Sequence, residues 1–141
     1  MAFSISTAQR IEANGVDALH GQIRELVRTH HSSLLAEIRR LGEMLTAPAA
    51  HCAGAITEAE FLAHQIKGAG GSLGFADVNE AATRVDDHLK TLMAHGRDAA
   101  AAQMERVRGL FEDLRRTAEA TTPESSSLWN TKPSRLSARF G

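Results

Sequence analysis

The chain contains no tyrosine, one tryptophan and three prolines, and only 4% of its 141 residues are aromatic. β-Sheets favour β-branched and aromatic side chains, whereas helices favour alanine and leucine. Valine and isoleucine together number 11, against 24 alanines. The composition therefore predicts an all-α domain with a core of small and medium-sized side chains.

Long apolar runs are also absent. No stretch of about 18 consecutive apolar residues occurs, which predicts that no helix spans a membrane. The first residues, MAFSISTAQR, have neither the basic start nor the apolar stretch of a secretory signal peptide. The single cysteine, Cys52, cannot form an internal disulfide, so we expect the protein in a reducing cytoplasm.

The chain has no excess of either charge. Its 16 basic and 17 acidic residues give a net charge of -1, which disfavours nucleic acid as a partner because such binding depends on neutralising phosphates. Its 141 residues fit one domain. This length is too short for an ATP-binding kinase domain together with a second domain.

Apolar residues recur at steps of three and four in four segments, which is the spacing of amphipathic helices. The first helix is expected to begin near Asp17 and to end before Pro48, and the polar stretch at residues 30–33 is a candidate position for a kink or a break. Its stripe consists of Ile23, Leu26, Val27, Leu34, Ile38, Leu41 and Leu45. The stripes of the other helices are Leu62, Ile66, Ala69 and Leu73; Val78, Ala81, Ala82, Val85, Leu89 and Leu92; and Met104, Val107, Phe111, Leu114 and Ala118.

Capping residues predict where the later helices begin and end. Thr57 and Asp77 each precede a glutamate by three residues, the spacing of a capping box at a helix start. Asp98 is a candidate cap of the fourth helix. Gly96 suits the left-handed position that follows the end of the third helix.

The short connections between the last three helices predict an antiparallel four-helix bundle, which we place at residues 17–121. Residues 1–16 are expected to form an N-terminal extension. Residues 122–141 contain two prolines and five serines without an apolar stripe, so this segment is expected to be a flexible tail. The less favoured alternative is that its apolar residues dock on the bundle, namely Leu128, Trp129 and Phe140.

One segment of the second helix has features that core packing does not explain. At about 100° per residue, His64 lies about 200° from Leu62 and therefore faces away from the core stripe. Lys67, Gly68 and Gly71 fall within about 60° of His64 on the same exposed face. An interior glycine costs a helix about 1 kcal/mol relative to alanine, so bare backbone beside His64 indicates that a partner approaches closely there.

The chemistry of this face is that of a phosphoryl acceptor. An exposed imidazole is a nucleophile at neutral pH, and its nitrogen can carry a phosphoryl group whose oxygens Lys67 can pair with. The residue after His64 is Gln65 rather than a carboxylate, so no strong base stands beside the histidine. We therefore infer a carrier rather than a catalyst, without a cofactor of its own. The catalytic groups and any Mg²⁺ would come from its partners.

The run AHQIKGAGGSLGF at residues 63–75 resembles the signature of histidine-containing phosphotransfer (HPt) domains, in which H-x-x-K-G is followed by leucine and glycine. The similarity covers about residues 22–121. HPt domains are four-helix bundles that expose the histidine in mid-helix. The resemblance implies that His64 is phosphorylated, and that Lys67 stabilises the phosphoryl group. It also implies that Gly68 and Gly71 admit a receiver domain.

Two features depart from the family pattern. Thr83 stands where the family often has a glutamate on the next helix. Asp86 and Lys90 lie one turn apart on that helix and are candidate flanking residues, Asp86 as a hydrogen-bond partner of the imidazole. The loop at residues 48–56 is longer than usual before the histidine helix.

The sequence thus predicts a monomeric phosphocarrier without autokinase activity. It would relay a phosphoryl group between receiver-domain aspartates of a hybrid histidine kinase and a response regulator. The expected contacts with these receiver domains are Ala63, Gln65, Gly68, Gly71 and Ser72.

Two other functions stay open. The dimerisation and phosphoacceptor domain of a histidine kinase usually has an acidic residue after the histidine, and only 77 residues follow His64 here. A helical adaptor without phosphate chemistry is the other alternative. No metal site is expected, because His30 with His31, and His51 with Cys52, are adjacent pairs that chelate poorly.

Overall fold

The computed structural model describes the backbone of residues 4–130 and the side chains of residues 15–130. Its helices are α1 (Ser4–Thr46), α2 (Ala53–Ser72), α3 (Ala76–Ala94) and α4 (Ala101–Glu119), followed by a short 3₁₀ helix at Pro123–Ser125. Within this part of the chain there are no strands, which confirms the all-α four-helix prediction. None of these helices is both long and apolar enough to cross a membrane.

The core lies between the four helices and follows the predicted stripes closely. Every residue predicted to face inward from α3 and α4 is buried. On α1 the prediction is wrong for Leu26, which is 51% exposed, while its neighbour Val27 is completely buried. Gly42 allows α1 to approach α4, since a Cβ there would lie 2.7 Å from Cζ of Phe111.

The first helix is longer and more regular than expected. It begins at Ser4 rather than near Asp17, and it continues without interruption through residues 30–33. His31 is buried there. Its Nε2 shares a 2.9 Å hydrogen bond with Oγ1 of Thr121, and its ring centre lies 5.3 Å from that of Phe75. The helix stays intact because this histidine belongs to the core-facing side, where it has a polar partner.

The structure changes the expected start of α2. The helix begins at Ala53, and the Thr57 hydroxyl donates to the Ala53 carbonyl from inside the helix, so Thr57 is not a cap. Asp98 accepts a 3.1 Å hydrogen bond from the Ala53 N–H. Asp98 therefore satisfies a free backbone donor at the start of α2 rather than capping α4.

The starts of α3 and α4 also differ from the prediction. Asp77 lies in the first turn of α3, and the preceding cap position is occupied by Phe75. The cap position of α4 is Ala100, whose N–H donates to Oε1 of Gln103. Gly96 has φ +63° directly after α3, which confirms its predicted left-handed role.

Residues 122–130 are not a flexible tail, so the expectation is wrong for this part of the segment. Ser126 is buried and donates a hydrogen bond to the Leu73 carbonyl, and the Ser127 N–H donates to Gly74 at 3.0 Å. Trp129 is only 8% exposed, so the docking considered for this residue takes place. Residues 131–141, including Phe140, lie outside the described residues.

Two arginines of α1 hold the end of this segment. The guanidinium carbons of Arg24 and Arg28 lie 4.9 and 5.0 Å from the centre of the Trp129 ring, within the range of cation–π attraction. Arg24 Nε also donates to the Trp129 carbonyl at 3.2 Å. The segment at residues 122–130 thereby ties the α2–α3 turn to the first helix.

Candidate functional site

His64 lies in the middle of α2, and its side chain is 61% exposed. The core-facing side of the same helix contains Leu62 and Ile66, which are 6% and 0% exposed. The predicted outward orientation of the histidine is therefore present. Because one helix face supplies the core, the opposite face can present an imidazole to solvent at no cost in packing.

Asp86 and Lys90 of α3 flank this imidazole. His64 Nδ1 lies 3.3 Å from Oδ2 of Asp86, and Lys90 Nζ lies 3.0 Å from the same oxygen. Asp86 is completely buried, whereas the Lys90 side chain is 43% exposed. Thr83 donates its hydroxyl to the Asn79 carbonyl of its own helix at 2.7 Å. The predicted flanking residues are thus both at the site: Asp86, one turn beyond Thr83, contacts His64, and Lys90 contacts Asp86.

A further acidic residue, Glu60, belongs to the site and was missed in the sequence. It precedes His64 by one turn of α2, and single ligand atoms of Glu60, His64 and Asp86 all lie within 4.8 Å of one another. Burial raises the pKa of Glu60, and the nearby carboxyl of Asp86 acts in the same direction. The sequence could have indicated Glu60 through its spacing, because residues four apart, such as Glu60 and His64, share a helix face.

The carboxyl of Asp86 is buried and accepts hydrogen bonds from neighbouring side chains. Burial by itself would raise the pKa of its carboxyl, but its hydrogen bonds with Lys90 and His64, both at Oδ2, outweigh burial and hold the pKa below its ordinary value. The group is therefore an ionised acceptor that faces the imidazole. Its other oxygen, Oδ1, is buried and has no hydrogen-bond partner among the described residues.

The glycines of α2 have different roles. A Cβ on Gly70 would lie 3.2 Å from the backbone nitrogen of Asn79, so Gly70 permits close packing of α2 on α3. A Cβ on Gly71 would lie 3.1 Å from Nδ2 of Asn79. Gly68 is exposed, and a Cβ on it would meet no atom within 4 Å beyond the backbone of its own helix. Gly68 and Gly71 are both exposed, but an added Cβ would find open space only at Gly68.

The remaining predicted contacts divide into exposed and buried residues. Gln65 and Ser72 are exposed, and Lys67 is half-buried one turn beyond His64. Ala63 is 0% exposed, so its expected contact with a receiver domain is wrong. The reason is a second inward stripe of α2 at steps of three and four, which consists of Ile56, Ala59, Ala63, Ile66 and Gly70.

Beside this site an open groove of about 490 Å³ runs between α1 and α2. Phe61 lies in it one turn before His64 and is 64% exposed, a large exposure for a phenylalanine. The predicted docking face omitted this residue. The groove is lined by Arg40, Met44, Thr57, Glu58, Phe61, Leu62 and Gln65.

A second group of possible metal ligands lies at the start of α2. The structure brings Asp98 to His51 and Cys52, with one ligand atom of each within 4.8 Å of the others. His51 Nε2 and Cys52 Sγ are 4.0 Å apart. Cys52 precedes His64 by 12 residues, roughly 18 Å along a helix, so this group is separate from the histidine site.

The Hpt domain family model matches residues 17–117. The chain belongs to the Hpt domain family. No curated protein and no solved structure gives a significant match. Hpt domains take part in histidine phosphotransfer within phosphorelays, where they carry phosphoryl groups rather than act as kinases, and they interact with receiver domains.

Proposed function

We propose that this Hpt domain relays a phosphoryl group through His64 between the receiver-domain aspartates of a hybrid histidine kinase and a response regulator. The observation that carries the proposal is the exposed His64 imidazole, whose Nδ1 faces the buried carboxylate of Asp86 at 3.3 Å. This arrangement fixes one ring nitrogen and leaves the other directed outward.

The transfer step follows from this orientation. Nδ1–H donates to Asp86, so the lone pair lies on Nε2, the outer nitrogen of His64. Nε2 attacks the phosphorus in line, the N–P bond forms, and the bond from phosphorus to the receiver's aspartate breaks. The aspartate leaves as a carboxylate. The reverse step returns the phosphoryl group to the aspartate of a second receiver domain.

The neighbouring charges assist both directions. The imidazole ring becomes positively charged when Nε2 carries the phosphoryl group while Nδ1 keeps its proton, and ionised Asp86 stabilises that charge. Lys90 holds the carboxylate of Asp86 in place at 3.0 Å. Lys67, one turn beyond His64, offsets the charge of the phosphoryl oxygens.

The proposed carrier needs no cofactor of its own and has no autokinase activity. Phosphoryl transfer requires positive charge around the phosphorus. In this scheme the carrier supplies that charge with lysine, and the partner's receiver domain supplies Mg²⁺. The alternatives, a kinase dimerisation domain and a helical adaptor, differ in testable ways. Incubation with ATP alone would phosphorylate the protein only if it contained kinase activity.

The docking face is proposed to comprise Gln65, Gly68, Gly71 and Ser72 around His64, extended by the groove that contains Phe61. Gly68 lets a partner loop approach the helix backbone. Such an interface is small and transient, with an apolar centre and a polar rim. We propose a cytoplasmic monomer, since the partners must bind this one face in turn.

The deciding experiment uses receiver domains phosphorylated by a small-molecule phosphodonor and follows transfer to the Hpt protein. His64→Gln is expected to abolish labelling of the Hpt protein. His30→Gln, which alters an exposed histidine of α1, serves as the matched control and is expected to leave labelling intact. Labelling that survives His64→Gln would show that another residue is the acceptor.

A further inference from the structure

Three groups that commonly bind metal ions converge at the phosphoacceptor. Glu60 and His64 come from successive turns of α2, and Asp86 comes from α3, with one ligand atom of each within 4.8 Å of the others. The separation between His64 Nδ1 and Asp86 Oδ2 is 3.3 Å, longer than a typical N–H···O hydrogen bond of about 2.9–3.0 Å. This contact is therefore a long hydrogen bond.

An independent observation points to a missing ligand. Asp86 is 0% exposed, and its Oδ1 has no hydrogen-bond partner among the described residues. Buried carboxylate oxygens are nearly always satisfied by a donor or a cation. Lys90 supplies one positive charge at Oδ2, whereas Glu60 and Asp86 together supply two negative charges when both are ionised.

We propose that Glu60, His64 and Asp86 form a binding site for Zn²⁺ that competes with phosphorylation of His64. Zinc binds carboxylate oxygens and imidazole nitrogens at about 2.0–2.1 Å in tetrahedral geometry, which puts neighbouring ligand atoms about 3.3–3.4 Å apart. The distance between Nδ1 and Oδ2 matches this tetrahedral edge. The fourth position faces solvent beside the exposed imidazole and would hold a water molecule.

The competition follows from the proton of the imidazole, and this part of the inference rests on the proposed function. Zinc takes the lone pair of Nδ1, so the single N–H proton of the neutral ring moves to Nε2. Nε2 then has no lone pair with which to attack phosphorus. A zinc-bound His64 is therefore closed to phosphoryl transfer until the metal leaves, with no change of oxidation state.

Lys90 limits the affinity of this site. Its ammonium lies 3.0 Å from Oδ2 of Asp86, and it must swing away when a doubly charged cation occupies the carboxylate. The Lys90 side chain is 43% exposed, so solvent is available to it. Removal of this charge should therefore tighten zinc binding. If Lys90 only held the site in shape, its removal would weaken zinc binding instead.

Binding is tested first without any phosphotransfer. Zn²⁺ is titrated by calorimetry into protein with Cys52→Ser, which removes the thiol of the separate group at the start of α2. We expect one zinc per chain, at least tenfold weaker binding with His64→Gln or Glu60→Gln, and at least threefold tighter binding with Lys90→Met. Glu80→Gln, an exposed glutamate of α3, is the matched control and should bind zinc as the parent does.

Absence of zinc binding would overturn the proposal, as would binding that both His64→Gln and Glu60→Gln leave intact. Circular dichroism checks that each variant keeps its helices. Glu60 is only half-buried, so its variant is expected to fold even where a change at Asp86 is not tolerated.

The competition is tested next by phosphorylation from a phosphorylated receiver domain, with and without Zn²⁺. Zinc should slow labelling of His64 at least tenfold, a chelator should restore it, and the Glu60→Gln protein should show a much smaller fold effect. This variant also controls for zinc acting on the receiver. Zinc bound with undiminished labelling would overturn the competition, whereas zinc bound to a protein that no receiver labels would refute the phosphocarrier and leave the metal site standing.

Discussion

The buried carboxylate of Asp86 faces the exposed imidazole of His64 across the α2–α3 interface, with Oδ2 3.3 Å from Nδ1. One partner is fully buried and the other is 61% exposed. The charge that orients the nucleophile is thus shielded from water, while the nucleophile itself remains open to a partner. The orientation of His64 thus depends on a buried carboxylate of α3, which Lys90 in turn contacts at 3.0 Å.

Replacement of this carboxylate should slow phosphoryl transfer. With Asp86→Asn the acceptor at Nδ1 loses its charge, and the ring is no longer held in the tautomer with a lone pair on Nε2. We expect a loss on the order of ten- to a hundredfold, the size found when carboxylates that orient metal-binding histidines are replaced. The transfer rate from a phosphorylated receiver measures it. Asp87→Asn, at the exposed neighbouring position, should transfer at the original rate.

Lys67 is expected to act on the phosphoryl group. Lys67→Ala should slow transfer, or shorten the lifetime of the phosphohistidine, by about fivefold, because a partly exposed ion pair contributes about 1 kcal/mol or less. Lys67→Arg keeps the charge and should recover most of the loss. Quantification of phosphohistidine over time gives both values. A rate and lifetime unchanged by Lys67→Ala would remove the role assigned to this lysine.

The two carboxyls of the site should give pH dependences of opposite sign. The pKa of Asp86 is lowered from its ordinary 3.8, so its contribution to stability is complete above that value and is lost as the pH falls through the folded-state pKa. The pKa of Glu60 is raised from 4.5, so its contribution is complete below 4.5 and is lost as the pH rises through the raised value.

Urea unfolding between pH 3 and 7 checks both signs. Glu60→Gln should remove the loss of stability that begins above about pH 4.5, relative to Glu80→Gln as control. Asp86→Asn should flatten the acid side of the same curve. Parallel curves for the parent and Glu60→Gln proteins would show that Glu60 keeps its ordinary pKa in the folded state.

Two glycines of α2 should respond oppositely to alanine. Gly68→Ala places its Cβ in open space, and we expect a gain of about 1 kcal/mol in the free energy of unfolding from helix propensity. Transfer should nevertheless slow, because the new methyl group stands on the docking face. Gly70→Ala would place a Cβ 3.2 Å from backbone of α3 and should cost about 1–3 kcal/mol. Urea unfolding distinguishes the two, and equal effects would contradict the assigned roles.

Trp129 should contribute to stability without affecting transfer. The guanidinium groups of Arg24 and Arg28 lie against its ring, and the residue is 8% exposed. Trp129→Ala is expected to cost about 3 kcal/mol, the low end for removal of a buried aromatic ring. Thermal unfolding by circular dichroism measures the loss, and Leu128→Ala, at a half-buried neighbour, should cost less. Equal stability of the parent and Trp129→Ala proteins would show that residues 122–130 do not stabilise the bundle.

The sequence by itself determined the helical class, the inward faces of α3 and α4, and the outward face of His64. Each of these follows from the 3.6-residue period of a single helix, which the order of residues encodes locally. The motif around His64 likewise lies within one helix, and the neighbouring Lys67 and Gly68 are placed by the same period.

Only the tertiary structure decided which helix faces meet. His64 and Asp86 are 22 residues apart, and Arg24 and Trp129 are 105 apart. Asp98 likewise caps a helix that begins 45 residues earlier in the chain. Such contacts depend on how helices pack and how closely their backbones approach, and a period within one helix contains no information about its neighbour. For the same reason the burial of Ala63 and the place of Glu60 beside Asp86 emerged only from the packed bundle.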